Sequence, residues 1–285
     1  MQPIRIDDPS DPRVAAYLDI RERDLTGRQG LFVAEGKVVL DALLSSRHYE
    51  AESALVLESR LAGLATILNK ASAELPVYVA SSAIMDKIAG FPIHRGVLAI
   101  GRRRAVSDAG LLLATLPKRA LILVLVGIAN HDNVGAIFRN AAAFGVDALF
   151  LDKTCCDPLY RKAIRVSVGA ALRLPYAIAD DMSGFVASLA GQGFATYALS
   201  PRGTIDLRLA PRRERTALYL GTEGTGLPET LLARMETVRI PMIDGFDSLN
   251  VAAASAVALH HFFREPEEEA VSRALSATLS PCPRD

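Results

Sequence analysis

Along the first hundred residues the apolar positions switch repeatedly between a two-residue and a 3.6-residue rhythm. Short apolar runs rich in branched side chains predict strands at "GLFVAEG" (30–36), "ALVLES" (54–59), "LPVYVAS" (75–81) and "GVLAIGR" (96–102). Apolar residues at three- and four-residue steps predict helices at "RVAAYLDIRERDL" (13–25), "KVVLDALLSS" (37–46), "RLAGLATILNKA" (60–71) and "SAIMDKIAG" (82–90). The alternation predicts a small α/β unit over residues 1–105. From Arg102 to Lys118 the pattern is mixed and carries Gly110 and Pro117, which predicts a connecting segment over 106–118.

A second unit, over 119–264, opens with "RALILVLVGIA" (119–129). A continuous apolar run of this kind fits a strand buried on both faces of a parallel sheet. Helices are predicted at 134–144, within 160–171, near 182–190 and over 248–263. Strands are predicted at "DALFLD", "GFATYALS", "TALYLG" and "TVRIPM". Glycine-bearing turns follow the C-terminal ends of these strands, where open parallel sheets bind their ligands. The last stretch, 265–285, is acidic and then Ser/Pro-rich, and reads as a disordered tail.

Composition narrows the picture. The 285 residues suffice for two cores, and half of them are hydrophobic. The longest apolar run is about ten residues, half of what a membrane helix needs. "MQPIRIDDPSDP" lacks the apolar core of a secretion signal, so a cytoplasmic protein with no membrane partner is expected. Cys155, Cys156 and Cys282 have no C-x-x-C spacing and no histidine partners, which predicts reduced thiols and no metal site. The 32 basic residues balance 32 acidic ones, against a protein that coats nucleic acid indiscriminately. Arginines nevertheless cluster at Gly101–Arg104, at Arg161, Lys162 and Arg165, and at Pro211–Thr216, a pattern that suits local phosphate contact.

Three segments of the second unit concentrate unusual residues. In "NHDNVGAIFRNAAAFG" (130–145), Asn133 can cap the following helix, which puts Arg139 among small apolar neighbours where its charge should face a cleft. In "YLGTEGTGLPE" (219–229), three glycines follow a strand. The spacing matches neither a P-loop nor G-x-G-x-x-G, and Glu223 in the middle would repel a pyrophosphate. In "IPMIDGFDSLNVAAASAVALHHF" (240–262), Ser248 suits a helix cap and Asn250 falls in the first turn. The Ala/Val/Ser helix that follows should be packed on every face. His260 and His261 at its end read as terminus histidines rather than ligands.

Together these segments resemble the SpoU (TrmH-like) branch of the SPOUT RNA methyltransferases. "NVGAIFRNAAAFG", "LGTEGTGLP" and "IPM…SLNVAAASA" correspond in order and spacing to its three motifs, and "RVSVGAALRLP" (165–175) to an intervening segment. The family usually has a glycine two residues after the methionine of I-P-M. Here that position is Asp244 and the glycine is Gly245. The first unit resembles, more weakly, an L30e-like RNA-binding domain, through "FVAEGKVVLDALL" and "RGVLAI". The fold so implied is α/β: an N-terminal L30e-like domain and a C-terminal SPOUT parallel-sheet domain with a trefoil knot.

The resemblance further implies S-adenosyl-L-methionine as cofactor, held at Leu199, Ser200, Gly221, Gly226, Ile240, Met242 and Leu249. It implies Asn133, Arg139, Glu223, Ser248 and Asn250 as the catalytic group, a homodimer, and methyl transfer to a ribose 2′-hydroxyl of RNA without a metal. Ribosomal RNA is favoured over tRNA because the front domain is similar to a ribosomal-protein-type binder. Two roles stand open for Arg139: general base, or a cation gripping phosphate and developing alkoxide. Lowering an arginine from about 12.5 to 7 would cost about 7.5 kcal/mol, which favours the cation. A non-catalytic RNA-binding protein and a nicotinamide oxidoreductase are the rival classes. The first is disfavoured by the retained polar set, the second by the missing dinucleotide fingerprint.

Overall fold

The computed structural model describes residues 2–18, 20, 30–104, 108–246 and 248–263. The front sheet comprises β1 (Ile4–Ile6), β2 (Leu31–Glu35), β3 (Tyr49–Leu57), β4 (Val77–Ala80) and β5 (Val97–Arg103), in the order β1-β4-β3-β5-β2. β1, β4 and β3 are parallel, and β5 runs antiparallel to both β3 and β2. Period-two alternation serves two cores at once. Phe32 and Ala34 of β2 join the side covered by α1 (Lys37–Leu44) and α2 (Ala65–Leu68). Leu31 and Val33 join the opposite side, with Tyr17 and with Met85 of α3 (Ser82–Ala89).

The second sheet has seven parallel strands. In chain order its elements are α4 (Ala109–Ala114), β6 (Ala120–Leu125), α5 (His131–Ala143), β7 (Ala148–Leu151), α6 (Arg161–Val166), β8 (Tyr176–Ile178) and α7 (Met182–Gly191). There follow β9 (Ala195–Leu199), β10 (Ile205–Asp206), β11 (Arg215–Leu220), α8 (Glu229–Leu232), β12 (Glu236–Arg239) and α9 (Val251–Phe262). The strand order is β10-β12-β9-β11-β6-β7-β8. β6 is buried on both faces: Leu123 and Leu125 meet the side of α5 and α9, and Ile122 and Val124 the side of α7. β9, β11 and β12 therefore end side by side on one rim of the sheet.

Several boundaries differ from the sequence reading for identifiable reasons. Only Pro12–Tyr17 of the helix predicted over 13–25 is described as helical, as a 3-10 turn capped by Asp11, and 21–29 lie outside the described residues. The helix predicted over 60–71 breaks into 3-10 turns at Glu58–Arg60 and Ala62–Leu64 before the single turn of α2. The segment predicted as a connector contains α4, whose first turn is held by Asp108 Oδ1 accepting from Leu111 N at 2.9 Å. The tail over 265–285 lies outside the described residues.

The two sheets meet along a buried seam. Leu159, Ile164 and Leu172 of the second unit belong to the same apolar cluster as Phe32, Val39, Ala42 and Leu43 of the first. At its edge Glu35, 7% exposed, accepts from Arg161 Nη1 at 2.8 Å, with Arg165 Nη1 at 3.9 Å from the same oxygen. The Arg161 guanidinium also lies over the Phe91 ring, 4.7 Å from its centre. Arg103 crosses in the other direction, donating to Asp157 and to the Tyr176 hydroxyl.

Candidate active site

The rim formed by β9, β11 and β12 carries a cleft of about 660 Å³, counting the part open to solvent. Leu199 and Ser200 line it from the end of β9, Leu220 and Gly221 from β11, and Ile240 and Met242 from beyond β12. Gly226 and Leu249 complete the set of cofactor residues implied by the resemblance, all of which face this one cleft. Pro201, Leu227, Val251 and Ala254 also line it and were not singled out from the sequence. They are ordinary apolar residues at strand and helix ends, and only the fold distinguishes them.

Gly221 has a packing reason. The chain from Thr222 to Gly226 folds back on itself, and a Cβ on Gly221 would sit 2.5 Å from the Gly226 carbon and the Leu227 nitrogen. Thr222 closes this turn: its Oγ1 accepts from Gly226 N at 3.1 Å and contacts Thr225 Oγ1 at 3.0 Å. The turn presents Glu223, the single charged side chain lining the cleft among the described residues.

Glu223 gathers two asparagines. Its Oε1 accepts from Asn133 Nδ2 at 3.0 Å and from Asn250 Nδ2 at 2.6 Å. Asn250 Nδ2 also donates to Asn133 Oδ1 at 3.0 Å, closing a three-residue ring. Asn250 Oδ1 is occupied too, since it accepts from Ala252 N at 2.9 Å and Ala253 N at 3.3 Å. The Nδ2 groups of both asparagines thus hold the carboxylate. The acceptor that no hydrogen bond occupies among the described residues is Glu223 Oε2.

The local sequence explains this placement and corrects two readings. Asn130, rather than Asn133, caps α5, because its Oδ1 accepts from Asp132 N at 2.8 Å and starts the helix three residues earlier. Asn133 is thereby carried inside the helix, 6% exposed, with its side chain free to reach Glu223. Likewise Asn250, rather than Ser248, caps α9. Ser248 lines the cleft from the preceding loop. α5 and α9 are joined by Asn140, whose Nδ2 donates to Ala252 O at 2.8 Å and to the buried Ser255 Oγ at 3.0 Å.

Two further expectations meet a different outcome. Arg139 is exposed, with no hydrogen bond or ion pair among the described residues, because α5 turns Val134, Ile137, Phe138 and Ala141 inward and Arg139 away from them. α9 is not packed on every face: Ala253 is exposed and Val257 is 44% exposed, while Ala258 and Leu259 are buried. Burial raises the Cys155 thiol and pushes that of Cys156 up to about 12, so neither supplies a thiolate nucleophile at neutral pH. Among the described residues no group of three or more His, Cys, Asp or Glu is placed to hold a metal ion. No described helix is long and apolar enough to cross a membrane.

Residues 120–260, which hold the cleft and the Asn-Glu-Asn ring, match the model of the SpoU rRNA Methylase family. An uncharacterized tRNA/rRNA methyltransferase of Mycobacterium bovis is 40% identical over 262 residues, 89% of each chain. The chain belongs to the SpoU family. The 23S rRNA (guanosine-2′-O-)-methyltransferase RlmB of Xanthomonas campestris is a further relative, 31% identical over 64% of this chain and 74% of its own length. Among solved structures, an RNA 2′-O ribose methyltransferase superposes with a TM-score of 0.71 at 27% identity, covering 92% of this chain and 98% of that one. The AdoMet-bound rRNA methyltransferase of Sinorhizobium meliloti shares the fold, with a TM-score of 0.74 at 24% identity over 90% of this chain and 96% of that one. The SpoU chain described here is thus an α/β methyltransferase whose parallel sheet carries the family region.

Proposed function

We propose that this chain transfers the methyl group of S-adenosylmethionine to a ribose 2′-hydroxyl of ribosomal RNA, working as a homodimer. The observation that carries the reading is the cleft itself. Among the described residues it is lined mainly by apolar side chains and glycine backbone, and its single charge is the Glu223 carboxylate. A cationic, phosphate-free ligand suits that lining, whereas a nucleotide polyphosphate would meet an uncompensated negative charge. Leu199, Ile240, Met242 and Leu249 would hold the cofactor's apolar parts, and the backbone at Gly221 and Gly226 its polar edges. The same two loops, 221–227 and 240–250, are those that the implied trefoil knot would thread. When bound, the cofactor supplies a methyl group already activated on a sulfonium.

The remaining work falls to side chains of this chain. Asn133 and Asn250 fix Glu223 so that Oε2 can accept a hydrogen bond from the attacking hydroxyl or from a group that orients it. Arg139 acts as the cation that grips the neighbouring phosphate and stabilises the developing alkoxide. Ser248, on the cleft wall, orients the ribose. Ribosomal RNA is preferred over tRNA because the RlmB relative is named for 23S rRNA. The front unit, about residues 1–105, supplies RNA affinity. The experiment is transfer of labelled methyl groups from S-adenosylmethionine to protein-free ribosomal RNA, followed by nucleoside analysis. Label in a 2′-O-methylnucleoside is expected, and label confined to a base, or none in ribosomal RNA, would overturn the substrate assignment.

The dimer rests on the uncovered side of α5 and α9. Ala142, Ala143 and Ala253 are exposed there, with Val257. The loop before α9 adds Phe246, 73% exposed, with Ile243 and Leu249. A second copy on this face would cover these apolar groups. Sedimentation at micromolar concentration is expected to give twice the 30.5 kDa chain mass. A clean monomer would refute the assembly.

A further inference from the structure

The sequence points to three arginine clusters as phosphate contacts, but the structure occupies most of them internally. Arg102 pairs with Glu52, Arg103 with Asp157 at 3.1 Å, and Arg104 with Glu50 at 3.8 Å. Arg161 and Arg165 face Glu35, and Lys162 is held by Asp132 at 2.7 Å. Arg215 donates to Pro117 O and lies over the Phe194 ring. Internal pairing therefore leaves these clusters less free to meet a polyanion, and cations elsewhere come into question.

One such set lies at the seam. Beyond the C-terminal end of α1, Ser45, Ser46, Arg47 and His48 form one wall of an open cleft of about 830 Å³, counting solvent-filled space, and Leu172 and Arg173 form the other. Ser46 stitches the walls, its Oγ donating to Leu172 O at 3.2 Å and accepting from His48 N at 3.2 Å. The shared core beneath, with Leu172 against the α1 side chains, fixes their separation. Arg47 is exposed and has no ion pair or hydrogen bond among the described residues. Arg173 is only loosely engaged: it stands 3.9 Å from Asp41, whose carboxylate Lys70 already holds at 2.6 Å. Among the described residues no carboxylate lines the cleft.

We propose that this cleft seats a phosphodiester segment of the RNA substrate, gripped by Arg47 from the front unit and Arg173 from the methyltransferase unit. Guanidinium forks match phosphate oxygens in pairs, and Ser45 and His48 add further donors. The openness of the site suits a chain passing through rather than an enclosed small anion. Because its walls belong to different units, RNA held there is registered against both sheets at once, at a fixed distance from the cofactor cleft. This inference rests on the RNA methyltransferase reading and deepens it.

The test compares the full-length chain with the double variant Arg47→Ala/Arg173→Ala and with Lys87→Ala, an exposed cation on α3 with no ion pair among the described residues. Filter binding to protein-free ribosomal RNA is measured across a salt series, alongside methyl transfer. The double variant is expected to bind about tenfold more weakly near 0.1 M salt, with the slope of log affinity against log salt reduced by about 1.4, two contacts' worth. Lys87→Ala should stay within about twofold of the parent, and S-adenosylmethionine binding should be unchanged in both. An unaltered slope in the double variant, or an equal loss in Lys87→Ala, overturns the cleft assignment while methyl transfer by the parent leaves the enzyme reading standing. A parent chain that neither binds nor methylates ribosomal RNA overturns both.

Discussion

Replacing Arg139 by alanine is expected to lower single-turnover methyl transfer by about a hundred- to a thousandfold, with cofactor affinity and folding stability close to those of the parent. The magnitude is that of removing one preorganised charge donor from a developing oxyanion, about 3–4 kcal/mol. The contrast between activity and stability follows from geometry. Arg139 is exposed and makes no ion pair or hydrogen bond among the described residues, so its removal should change stability by no more than about 0.5 kcal/mol. A surface arginine that costs nothing to remove from the fold yet silences transfer has a role in the reaction. Arg139→Lys separates the two chemical roles, because lysine keeps the charge, loses the planar fork and yields its proton more easily. Activity recovering as pH rises would indicate a proton acceptor at this position. Persistent inactivity supports two-point gripping, and parent-like turnover in Arg139→Ala refutes both.

The second large effect concerns the seam. Glu35→Ala removes the carboxylate that faces Arg161 and Arg165 in a nearly dry setting. Breaking a buried pair from one side leaves charge uncompensated, for which about 3 kcal/mol is expected. In a chain of this size that corresponds to roughly 6–12 °C of melting temperature. Glu35→Gln, which keeps the volume and one acceptor, should lose markedly less. Calorimetry checks both, and an unchanged midpoint in Glu35→Ala would show that the pair does not hold the seam. Because Leu159, Ile164 and Leu172 close the front core, a single transition is expected rather than two. For the same reason the isolated second unit would expose those three side chains, which makes the intact chain the proper material for every assay.

What was legible in the sequence was largely local. The strand ending at Leu220, the glycine turn with Glu223 and the Ala-rich helix after Asn250 announce themselves within a few residues of chain. The positions of Asn133 and Asn250 were less so. Either Asn130 or Asn133 can cap a helix, and either Ser248 or Asn250, and the choice is decided by hydrogen bonds that reach Glu223 from 90 and 27 residues away. The three-residue β1 and the two-residue β10 carry too few positions for any rhythm. Nothing in the local sequence marks Glu35 as half of a buried ion pair, because its partner Arg161 lies 126 residues further on. The arginine clusters were visible, but their occupation by carboxylates was not, since pairing across two sheets leaves no trace in spacing.

The shared core also sets a timetable for synthesis. The front sheet is complete once β5 ends at Arg103, yet the side chains that cover one of its faces arrive only with Leu159, Ile164 and Leu172. At translation rates of about 5–20 residues per second, roughly 3–14 seconds separate the last front strand from Leu172. For that interval the nascent front half presents Val39, Ala42 and Leu43 to water, and the ribosome exit region becomes the place where this chain is most exposed to mispairing.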